Sequence, residues 1–397
     1  MSKQHVMIAG GGMGGLVAAL ALLKRGIDVD LYEQAPELRE LGSGLWVSPN
    51  GARVLNALGM RDAIESINTN ANDRVVRLWD SGQSWSVYSQ QTGTDHNLIM
   101  VLRSEMHRVL VEAVQAIKPD AFHLNARVSG FTQDDAGVTL QFEDGRTARG
   151  TALVGADGLH SKVRAAAFGP SPGRFTNALA WRGLVPMEAL AEHHRLPVAS
   201  TWVGPTAHVT SYPVRKGSQQ FVSFSGQAES TEWTVESWSE MGSIEECLQD
   251  FQGWHQDIID LIKNAQTLYK WGLFIREPLQ QWSRGRVTLL GDACHSMVPY
   301  LGQGVNMAFE DAGVLARCLE QYGETDTALA LQRYSNARAA RGAKTVDRSL
   351  GMQYVFHNEA LAKLDTAVPY VNQNWSAASM KERYDWLFSY DANTVAL

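Results

Sequence analysis

Cysteine is scarce in this chain of 397 residues, which contains three, Cys247, Cys294 and Cys318. They lie far apart and form no C-x-x-C pair or other metal-ligand spacing, so we expect neither disulfide bonds nor a bound metal. Such cysteine usage is typical of a protein of the reducing cytoplasm, and we predict that compartment.

Runs of basic residues are also absent from the sequence. The net charge is −7 and charged residues make up 19% of the chain, so we expect neither nucleic acid nor a membrane surface as a partner. Residues 6–23 carry no charge. Glycines interrupt this stretch, however, and a charged strand follows it, which argues against a signal peptide or a membrane helix. The length suffices for two domains, or for one domain with a large insertion.

The most informative stretch that is present lies between residues 5 and 34. A short apolar run precedes glycines at the spacing G-x-G-x-x-G, an Ala- and Leu-rich helical run follows, and residues 28–32 read as a second strand that ends at an acid, Glu33. This strand–helix–strand pattern with a terminal acid is typical of dinucleotide binding.

Each glycine of the motif has its own physical function. Gly10 allows a tight turn, Gly12 lets the backbone approach a pyrophosphate, and Gly15 lets the helix pack closely on the strand. The N-terminus of the helix offers its free N–H groups to the phosphates. We expect Glu33 to bind the hydroxyl groups of an adenosine ribose, which argues against a 2′-phosphate at this site.

The rest of the chain changes its pattern twice. Residues 74–90 alternate apolar and polar side chains around a turn at 80–82 and predict a hairpin. The α/β pattern returns with a buried strand that begins at Arg286. We therefore predict an α/β fold with three parts: a discontinuous Rossmann-type dinucleotide-binding domain, an inserted and mostly antiparallel β-sheet domain (α+β), and a helical, aromatic-rich C-terminal tail. Their predicted bounds are 1–72, 98–176 and 270–350 for the first, 73–97 and 177–269 for the second, and 351–397 for the tail.

Three glycine–carboxylate motifs stand in order along the chain, the G-x-G-x-x-G, Asp157-Gly158 and Gly291-Asp292. Together with the further motifs below, they resemble the FAD-dependent aromatic hydroxylases with a single dinucleotide-binding domain, the group typified by p-hydroxybenzoate hydroxylase. The resemblance is closest to salicylate hydroxylase and its relatives that act on 3-hydroxybenzoate and 6-hydroxynicotinate, and it covers nearly the whole chain. The further motifs are Gly42-Ser43-Gly44-Leu45, Pro49-Asn50, Arg103, GADGLHSKVR at 155–164, the run 208–215, WSRGRVTLLGDACH at 282–295, GQGVNMAFEDA at 302–312 and YDWLFSYD at 384–391.

The resemblance implies that the Rossmann-type part is an FAD-binding domain and that the inserted sheet is a substrate domain. It also implies a bound FAD, transient docking of NADH or NADPH on the FAD domain, and O2 as co-substrate. It further implies that a flavin C4a-hydroperoxide hydroxylates an aromatic ring that a phenolate makes electron-rich. Two alternatives stay open, because Asp157 also fits an ordinary helix cap and Gly291-Asp292 also fits an ordinary turn. The cofactor-binding residues that the resemblance implies are Gly10, Gly12, Gly14, Gly15, Glu33, Arg103, Asp157, Gly158, Gly291, Asp292, Gly304, Val305 and Asn306.

The candidates for catalysis are His208 and Tyr212, which lie four residues apart in a strand-like segment and therefore share a face. In relatives with the same pattern these residues line the substrate pocket, and the histidine contacts the substrate hydroxyl. We predict that His208 is the base or hydrogen-bond partner of that hydroxyl and that Tyr212 binds the substrate. The alternative for His208 is a core histidine.

Four more residues, Gly44, Trp46, Pro299 and Tyr300, are predicted to contact the substrate by the same resemblance. Pro299 replaces the glutamine of relatives that act on 3-hydroxybenzoate, and Trp46 replaces a small residue or histidine of the hydroxynicotinate enzymes. Both departures favour a salicylate-like acid over those two substrates.

Three other polar residues are weaker candidates. Arg182 and Arg215 could bind a substrate carboxylate, although a surface or ion-pair role fits either as well. His295 directly follows the Gly291-Asp292 motif, and we assign it a structural role beside the cofactor.

Two rival functions use the same motifs. A flavin oxidase or an NAD-dependent dehydrogenase shares the first fingerprint, and a non-catalytic flavin carrier would bind FAD without oxidising NAD(P)H. Because a plain dehydrogenase needs no third contact as far down the chain as Gly291-Asp292, that motif favours the hydroxylase. The aromatic tail is predicted to cover either the domain junction or a contact in a homodimer.

Overall fold

A computed structural model describes residues 4–38, 43–71, 73–89, 98–231 and 241–397. Its strands are β1 (His5–Ala9), β2 (Asp28–Tyr32), β3 (Gly44–Val47), β4 (Asp73–Leu78), β5 (Ser84–Ser89), β6 (Ile99–Leu102), β7 (Phe122–His123), β8 (Val128–Asp134), β9 (Gly137–Phe142), β10 (Thr147–Gly150), β11 (Ala152–Gly155), β12 (Arg174–Pro186), β13 (Val198–Val203), β14 (Ala207–Lys216), β15 (Gln219–Glu229), β16 (Thr267–Ile275), β17 (Ser283–Arg284) and β18 (Val287–Leu289).

The α-helices are α1 (Met13–Leu23), α2 (Pro49–Ala57), α3 (Arg61–Glu65), α4 (Arg103–Ile117), α5 (Lys162–Phe168), α6 (Ile244–Asp250), α7 (Gln256–Lys263), α8 (Asp292–His295), α9 (Gly304–Tyr322), α10 (Thr327–Gly351), α11 (Gln353–Phe356), α12 (Leu364–Asn374) and α13 (Ala377–Phe388). Short 3-10 helices lie at Met187–Ala189, Glu192–Arg195, Pro299–Leu301 and Glu359–Ala362. Among the described residues, no helix is both long and apolar enough to cross a lipid bilayer.

A six-stranded sheet in the order β17-β18-β11-β1-β2-β7 forms the α/β part of the molecule. Its strands are parallel except for the pair β17 and β18. Ala9 at the end of β1 lies opposite Gly155 of β11, which lies opposite Leu289 of β18. Because the carboxyl ends of parallel strands share one edge, the three glycine–carboxylate motifs meet there.

A second, seven-stranded sheet runs in the order β16-β12-β15-β14-β13-β4-β5 and is antiparallel except for the pair β13 and β4. The predicted α/β fold with an inserted, mostly antiparallel sheet is thereby confirmed, as is the hairpin of β4 and β5. Two predicted domain boundaries, at 176/177 and 269/270, fall inside β12 and β16, which pair with each other. The division of the chain into domains therefore stays a prediction.

The two faces of this sheet differ because side chains alternate along a strand. On one face, Trp181, Val209 and Val222 pack with α6 and α7 in a buried apolar cluster. On the other face, the side chains of His208 and Tyr212 stand in line with Gln227 and Ser223 of β15. The sheet is thus apolar toward its own helices and largely polar on the side that faces away from them.

The C-terminal tail is helical, as predicted, and arginines hold its end against the α/β part. Arg341 of α10 donates to the backbone carbonyl oxygens of Trp386 and Leu387 at 3.2 and 2.9 Å. Arg53 of α2 donates to the carbonyl oxygens of Phe388 and Tyr390. Cationic groups at the carboxyl end of α13 satisfy its last carbonyls and complement the helix dipole.

A buried charge network joins α9 and α10 to the third glycine–carboxylate motif. Arg338 is fully buried and contacts Glu310 at 2.7 Å and Asp311 at 2.8 Å. Asp311 also accepts a hydrogen bond from the backbone N–H of Gly291 at 3.1 Å and contacts the ring of His295 at 2.6 Å. Asp311 therefore fixes the position of the turn that carries Asp292.

We predict that Arg338→Ala lowers the free energy of unfolding by about 3–5 kcal/mol, because it removes the one group that contacts both buried carboxylates and leaves Glu310 with Arg341 and Asp311 with His295 alone. Urea unfolding followed by circular dichroism measures the effect. Arg348→Ala removes an exposed arginine of the same helix and is the control, with an expected change within about 0.5 kcal/mol. Equal stability of the two variants would contradict the structural role of the network.

Candidate active site

A cavity of about 1090 Å³ lies between the carboxyl edge of the parallel sheet and the polar face of the seven-stranded sheet. Cavities that hold a small molecule or a cofactor usually measure about 300–1,000 Å³, so this one lies just above that range. The site residues predicted from the sequence that line it are Gly12, Gly14, Gly44, Trp46, Arg103, Asp157, Gly158, His208, Tyr212, Gly291, Asp292, Pro299, Tyr300, Gly304 and Val305.

The first glycine motif has the geometry that a dinucleotide needs. A Cβ on Gly15 would lie 2.0 Å from the carbonyl oxygen of Gly10, so only glycine lets α1 approach β1 this closely. A Cβ on Gly12 would meet no protein atom within 4 Å, although Gly12 lines the cavity. The protein itself therefore leaves the backbone of Gly12 open to a ligand, as a pyrophosphate at the N-terminus of α1 requires.

Glu33 holds the same glycine loop in place through hydrogen bonds. Its carboxylate accepts hydrogen bonds from the backbone N–H groups of Gly11 at 2.7 Å and Ala35 at 2.8 Å. These bonds place Glu33 beside the glycine loop at the end of β2. Its predicted contact with an adenosine ribose stays a prediction.

The second motif, Asp157-Gly158, is both a helix cap and a part of the cavity wall. The carboxylate of Asp157 accepts hydrogen bonds from the N–H groups of Lys162 and Val163 and from the hydroxyl of Ser161, so that it caps α5. Asp157 and Gly158 also line the cavity. The cap is therefore part of the cavity wall.

The third motif brings a carboxyl group into the cavity. Burial raises the pKa of Asp292 and outweighs the charges of His295, Arg103 and Arg182, which lower it. The pKa of this carboxyl group therefore lies above its usual value. Asp292 thus lies in a cavity wall that also carries three arginines, Arg74, Arg103 and Arg182.

The N-terminus of α9 faces the cavity through Gly304 and Val305. The side chain of Asn306 is fully buried and turned toward β3, and the predicted role of its backbone N–H at the cofactor stays a prediction. The side chain accepts a hydrogen bond from the N–H of Ser48 at 2.9 Å and donates to the carbonyl oxygen of Trp46 at 3.1 Å. Asn306 therefore joins α9 to the strand that carries Trp46, and only its backbone is available to a cofactor.

Tyr212 and Gly44 meet at the polar face of the seven-stranded sheet. Ser223 hydrogen-bonds the hydroxyl of Tyr212 and accepts the N–H of Gly44 at 2.9 Å. Trp46 packs on the Tyr212 ring with 5.1 Å between ring centroids. Gly42, the first residue of the motif that contains Gly44, lies outside the described residues. Burial raises the pKa of Tyr212, so its hydroxyl keeps its proton and can donate a hydrogen bond.

His208 is 1% exposed, and this residual surface belongs to the cavity wall. Its Nδ1 lies 2.7 Å from Nε2 of His357, whose Nδ1 lies 3.1 Å from Oε1 of Glu229. Burial and the neighbouring His357 hold the pKa of His208 well below its usual 6.5. His208 is therefore neutral at pH 7 and able to accept a proton, even though it is also a core histidine.

Two residues of the wall carry a polar atom without a partner. The hydroxyl of Tyr300 and Nε1 of Trp46 are buried and, in the described part of the chain, have no hydrogen-bond partner. Buried polar groups are normally paired, but both atoms are enclosed by protein and neither opens onto the cavity. Pro299 lies beside Tyr300 in the same wall.

The two arginines that were candidates for binding a substrate carboxylate lie in different parts of the molecule. Arg182 lines the cavity with its guanidinium over the ring of Trp271, 4.4 Å from the centroid. Arg215 instead donates to the backbone carbonyl oxygens of Asn68 at 2.9 Å and Ser66 at 2.6 Å. Arg215 is therefore a structural residue that ties β14 to the end of α3.

His295 is completely enclosed and contacts Asp311, as the structural role predicted for it requires. Burial lowers its pKa, but the charge of Asp311 and the hydrogen bond to it outweigh burial, so that the pKa of His295 is raised.

Sequence reasoning missed several residues in the wall or directly behind it. His357 and Glu229, behind His208, lie far from it in the chain, and no local motif marks them. Ser223 stands opposite Tyr212 in the neighbouring strand, and the alternation of β15 could have indicated that it faces the same side. The tail was predicted to cover either the domain junction or a homodimer contact, and its residues Trp375, Met380, Tyr384 and Phe388 line the cavity.

Comparison with known proteins agrees with this geometry. A sequence profile described as FAD binding domain matches residues 3–349. The chain is 35% identical over 402 residues to a 3-amino-4-hydroxybenzoate 2-monooxygenase of Streptomyces platensis, with 99% of this chain and 98% of that one covered. It is 33% identical to a 3-hydroxybenzoate 6-hydroxylase of Polaromonas naphthalenivorans, with 97% and 96% covered.

The chain belongs to the family of FAD-dependent aromatic hydroxylases. Among solved structures, HpxO of Klebsiella pneumoniae complexed with FAD and uric acid superposes with a TM-score of 0.81 at 29% identity, covering 97% of this chain and 96% of that one. The predicted resemblance is confirmed. The protein is an FAD-dependent aromatic monooxygenase, which uses NAD(P)H and O2.

We predict that Gly44→Ala lowers the turnover of this hydroxylase about 10- to 100-fold while FAD stays bound. The new Cβ would lie 2.5 Å from the Tyr212 hydroxyl and 2.7 Å from Ser223 Oγ, and a displacement of about 1 Å in an active site has an effect of this size. Substrate-stimulated NADH oxidation and the flavin spectrum are the measurements. Gly351→Ala, where a Cβ meets no protein atom within 4 Å, is the control. A Gly44→Ala enzyme as active as the control would show that this close approach does not matter.

Proposed function

We propose that this hydroxylase acts on a small aromatic acid with a ring hydroxyl, and that a salicylate-like acid is its first candidate substrate. The observation that carries the proposal is the position of His208, a buried neutral imidazole in the wall of the cavity. A base at this position suits a substrate whose ring must be made electron-rich by loss of a hydroxyl proton.

The polar sheet face supplies the other contacts. His208 and Tyr212 are separated by about 13 Å along β14 at a rise of about 3.3 Å per residue, so one aromatic ring fits between their side chains. Arg182 stands opposite Ser225, which in turn stands opposite Thr210. We assign Arg182 to the substrate carboxylate, because a guanidinium binds a carboxylate through two parallel hydrogen bonds.

We assign the residues on the other side of the cavity to the cofactor. Gly12, Gly158 and the N-terminus of α9 would hold FAD, which, when bound, transfers electrons from NAD(P)H and activates O2 for insertion into the ring. The backbone N–H groups at Gly304 and Val305 would stabilise negative charge on the reduced cofactor. Trp375 and Phe388 of the tail would keep bulk water from the cavity. We place the enzyme in the cytoplasm, in keeping with its three free and buried cysteines.

The choice of substrate rests on two kinds of support. The relatives named above act on 3-amino-4-hydroxybenzoate and 3-hydroxybenzoate, and both acids carry a ring hydroxyl and a carboxylate. Pro299 and Trp46, which line the cavity, are the departures that favour a salicylate-like acid over 3-hydroxybenzoate and 6-hydroxynicotinate.

The test is NADH oxidation by the FAD-loaded enzyme with a panel of four acids: salicylate, 3-hydroxybenzoate, 6-hydroxynicotinate and 3-amino-4-hydroxybenzoate. O2 uptake, H2O2 release and product mass are followed together. We expect one acid, salicylate first, to stimulate oxidation without matching peroxide and to give a product heavier by one oxygen atom, or a catechol if the carboxylate is lost. Peroxide alone with every acid would point to an oxidase, and no stimulation by any acid would point to a flavin carrier.

We predict that His208→Gln lowers the turnover of the coupled acid about 100-fold or more, because general base catalysis contributes about 10²–10⁴. FAD binding stays unchanged. Because the pKa of His208 lies well below 6.5, the wild-type base remains deprotonated at pH 6.5, and its turnover is not expected to fall there. His193→Gln, at an exposed histidine of the same sheet region, is the control. Wild-type turnover and affinity in His208→Gln would remove His208 from the mechanism.

A further inference from the structure

A continuous series of polar groups leads from the cavity to the protein surface. It begins at His208 on β14, passes through His357, which directly follows α11, and ends at Glu229, the last residue of β15. The ring nitrogens of the two histidines lie 2.7 Å apart, and the second ring lies 3.1 Å from the carboxylate. The backbone holds the middle member in place, because His357 forms a bridge with Gly204.

The carboxylate fixes the tautomers of both rings. Glu229 accepts, so Nδ1 of His357 must be the atom that carries the proton, and Nε2 of that ring then carries a lone pair. Burial lowers the pKa of His357 as well as that of His208, so both rings are neutral. Nδ1 of His208 must therefore donate to His357, which leaves Nε2 of His208 as an acceptor.

The two ends of the series face different surroundings. In the described part of the chain, Nε2 of His208 has no hydrogen-bond partner, and His208 lines the cavity. The side chain of Glu229 is 43% exposed at the other end, whereas the side chain of His357 between them is fully buried. Phe356 and Tyr300 pack against the His208 ring at 4.7 and 5.1 Å between centroids. These two rings flank His208 in the cavity wall.

We propose that Glu229, His357 and His208 form a relay that carries the proton of the substrate hydroxyl from the cavity to bulk water. The proposal rests on the function proposed above and adds to it two residues that reach the substrate only through His208. Without a relay, a proton accepted by His208 would leave a cation in an apolar enclosure, where a charge is costly.

The transfer balances in three steps. The substrate O–H bond breaks and an N–H bond forms at Nε2 of His208. The proton on Nδ1 of His208 passes to Nε2 of His357, and the proton on Nδ1 of His357 passes to the carboxylate of Glu229, which releases it to water. The substrate is left as an anion, both rings are neutral in the opposite tautomer, and return of one proton along the same path restores them.

One other titratable group contacts His208 from a neighbouring element. Tyr300, in the 3-10 helix after Val298, is buried, and its burial and the charge of Glu229 raise the pKa of its hydroxyl. Tyr300 therefore keeps its proton and does not compete with His208 as the base.

The experiment is stopped-flow mixing of the oxidised, FAD-loaded enzyme with the panel acid that shows the highest coupled turnover. A pH-indicator dye in weak buffer reports the proton that is released. The variants are Glu229→Gln, in which the amide oxygen still accepts from His357 but carries no proton onward, and His357→Gln. Glu359→Gln, at an exposed carboxylate two residues further along the chain, is the matched control.

We expect both relay variants to release the proton about 10-fold more slowly or worse, with the dissociation constant of the acid changed less than about 2-fold. Added formate or imidazole buffer should restore the rate in Glu229→Gln, because the lost group is at the surface. The same buffer should not restore His357→Gln, because the missing ring is enclosed. Glu359→Gln should match the wild type.

Wild-type release rates in both relay variants, together with a wild-type enzyme that couples normally, would overturn the relay and leave the proposed function intact. Equal losses of affinity and rate in both variants, with no buffer rescue, would also overturn it, because that result is the signature of a merely structural contact. A wild-type enzyme that couples with no acid of the panel would overturn the proposed function itself.

Discussion

The parallel pairing of three strands is the constraint on which the rest of this site depends. β1, β11 and β18 lie side by side with Ala9, Gly155 and Leu289 in register at their carboxyl ends. Loops that are distant in the sequence therefore open onto one edge, where helix N-termini and glycine backbones can bind phosphates. The buried contacts of Asp311 with Arg338 and with the N–H of Gly291 hold the last of these loops in place.

The seven-stranded sheet lies opposite that edge across the cavity. Its face toward the cavity carries polar side chains inside the protein. Such groups are stable only when they are paired, and most of them are, as Ser223 is with Gly44 and Gln227 with Ser225. The hydroxyl of Tyr300 and Nε1 of Trp46 have no partner among the described residues. Buried polar atoms without a partner also lie elsewhere in the described residues, as Thr69 Oγ1 and the hydroxyl of Tyr390 do. The polar sheet face, rather than the unpaired atoms of Tyr300 and Trp46, therefore distinguishes the cavity from an apolar core.

Much of this architecture could be predicted from the sequence. The spacing of Gly10, Gly12 and Gly15, the acid at Glu33 and the later Gly291-Asp292 indicated the dinucleotide-binding half, and alternation indicated the second sheet. The substrate wall was predicted in part, through His208 and Tyr212, which share a face in a single strand. The contacts of the Asn306 side chain with Ser48 and Trp46 were not predicted, because a helical position near an N-terminus does not reveal which way its side chain turns. Arg215 was left undecided, because its partners are backbone carbonyls that no sequence motif marks.

The sequence by itself determined the α/β fold, the family and the half of the cavity that FAD requires, because these depend on glycine spacing and side-chain alternation, which are local properties of the chain. Only the tertiary structure decided that His357 and Glu229 lie in line behind His208, that Arg182 rather than Arg215 enters the cavity, and that the helical tail forms part of its wall. These are contacts between segments far apart in the chain. Their distances are set by how sheets and helices pack, and short-range patterns carry no information about that packing.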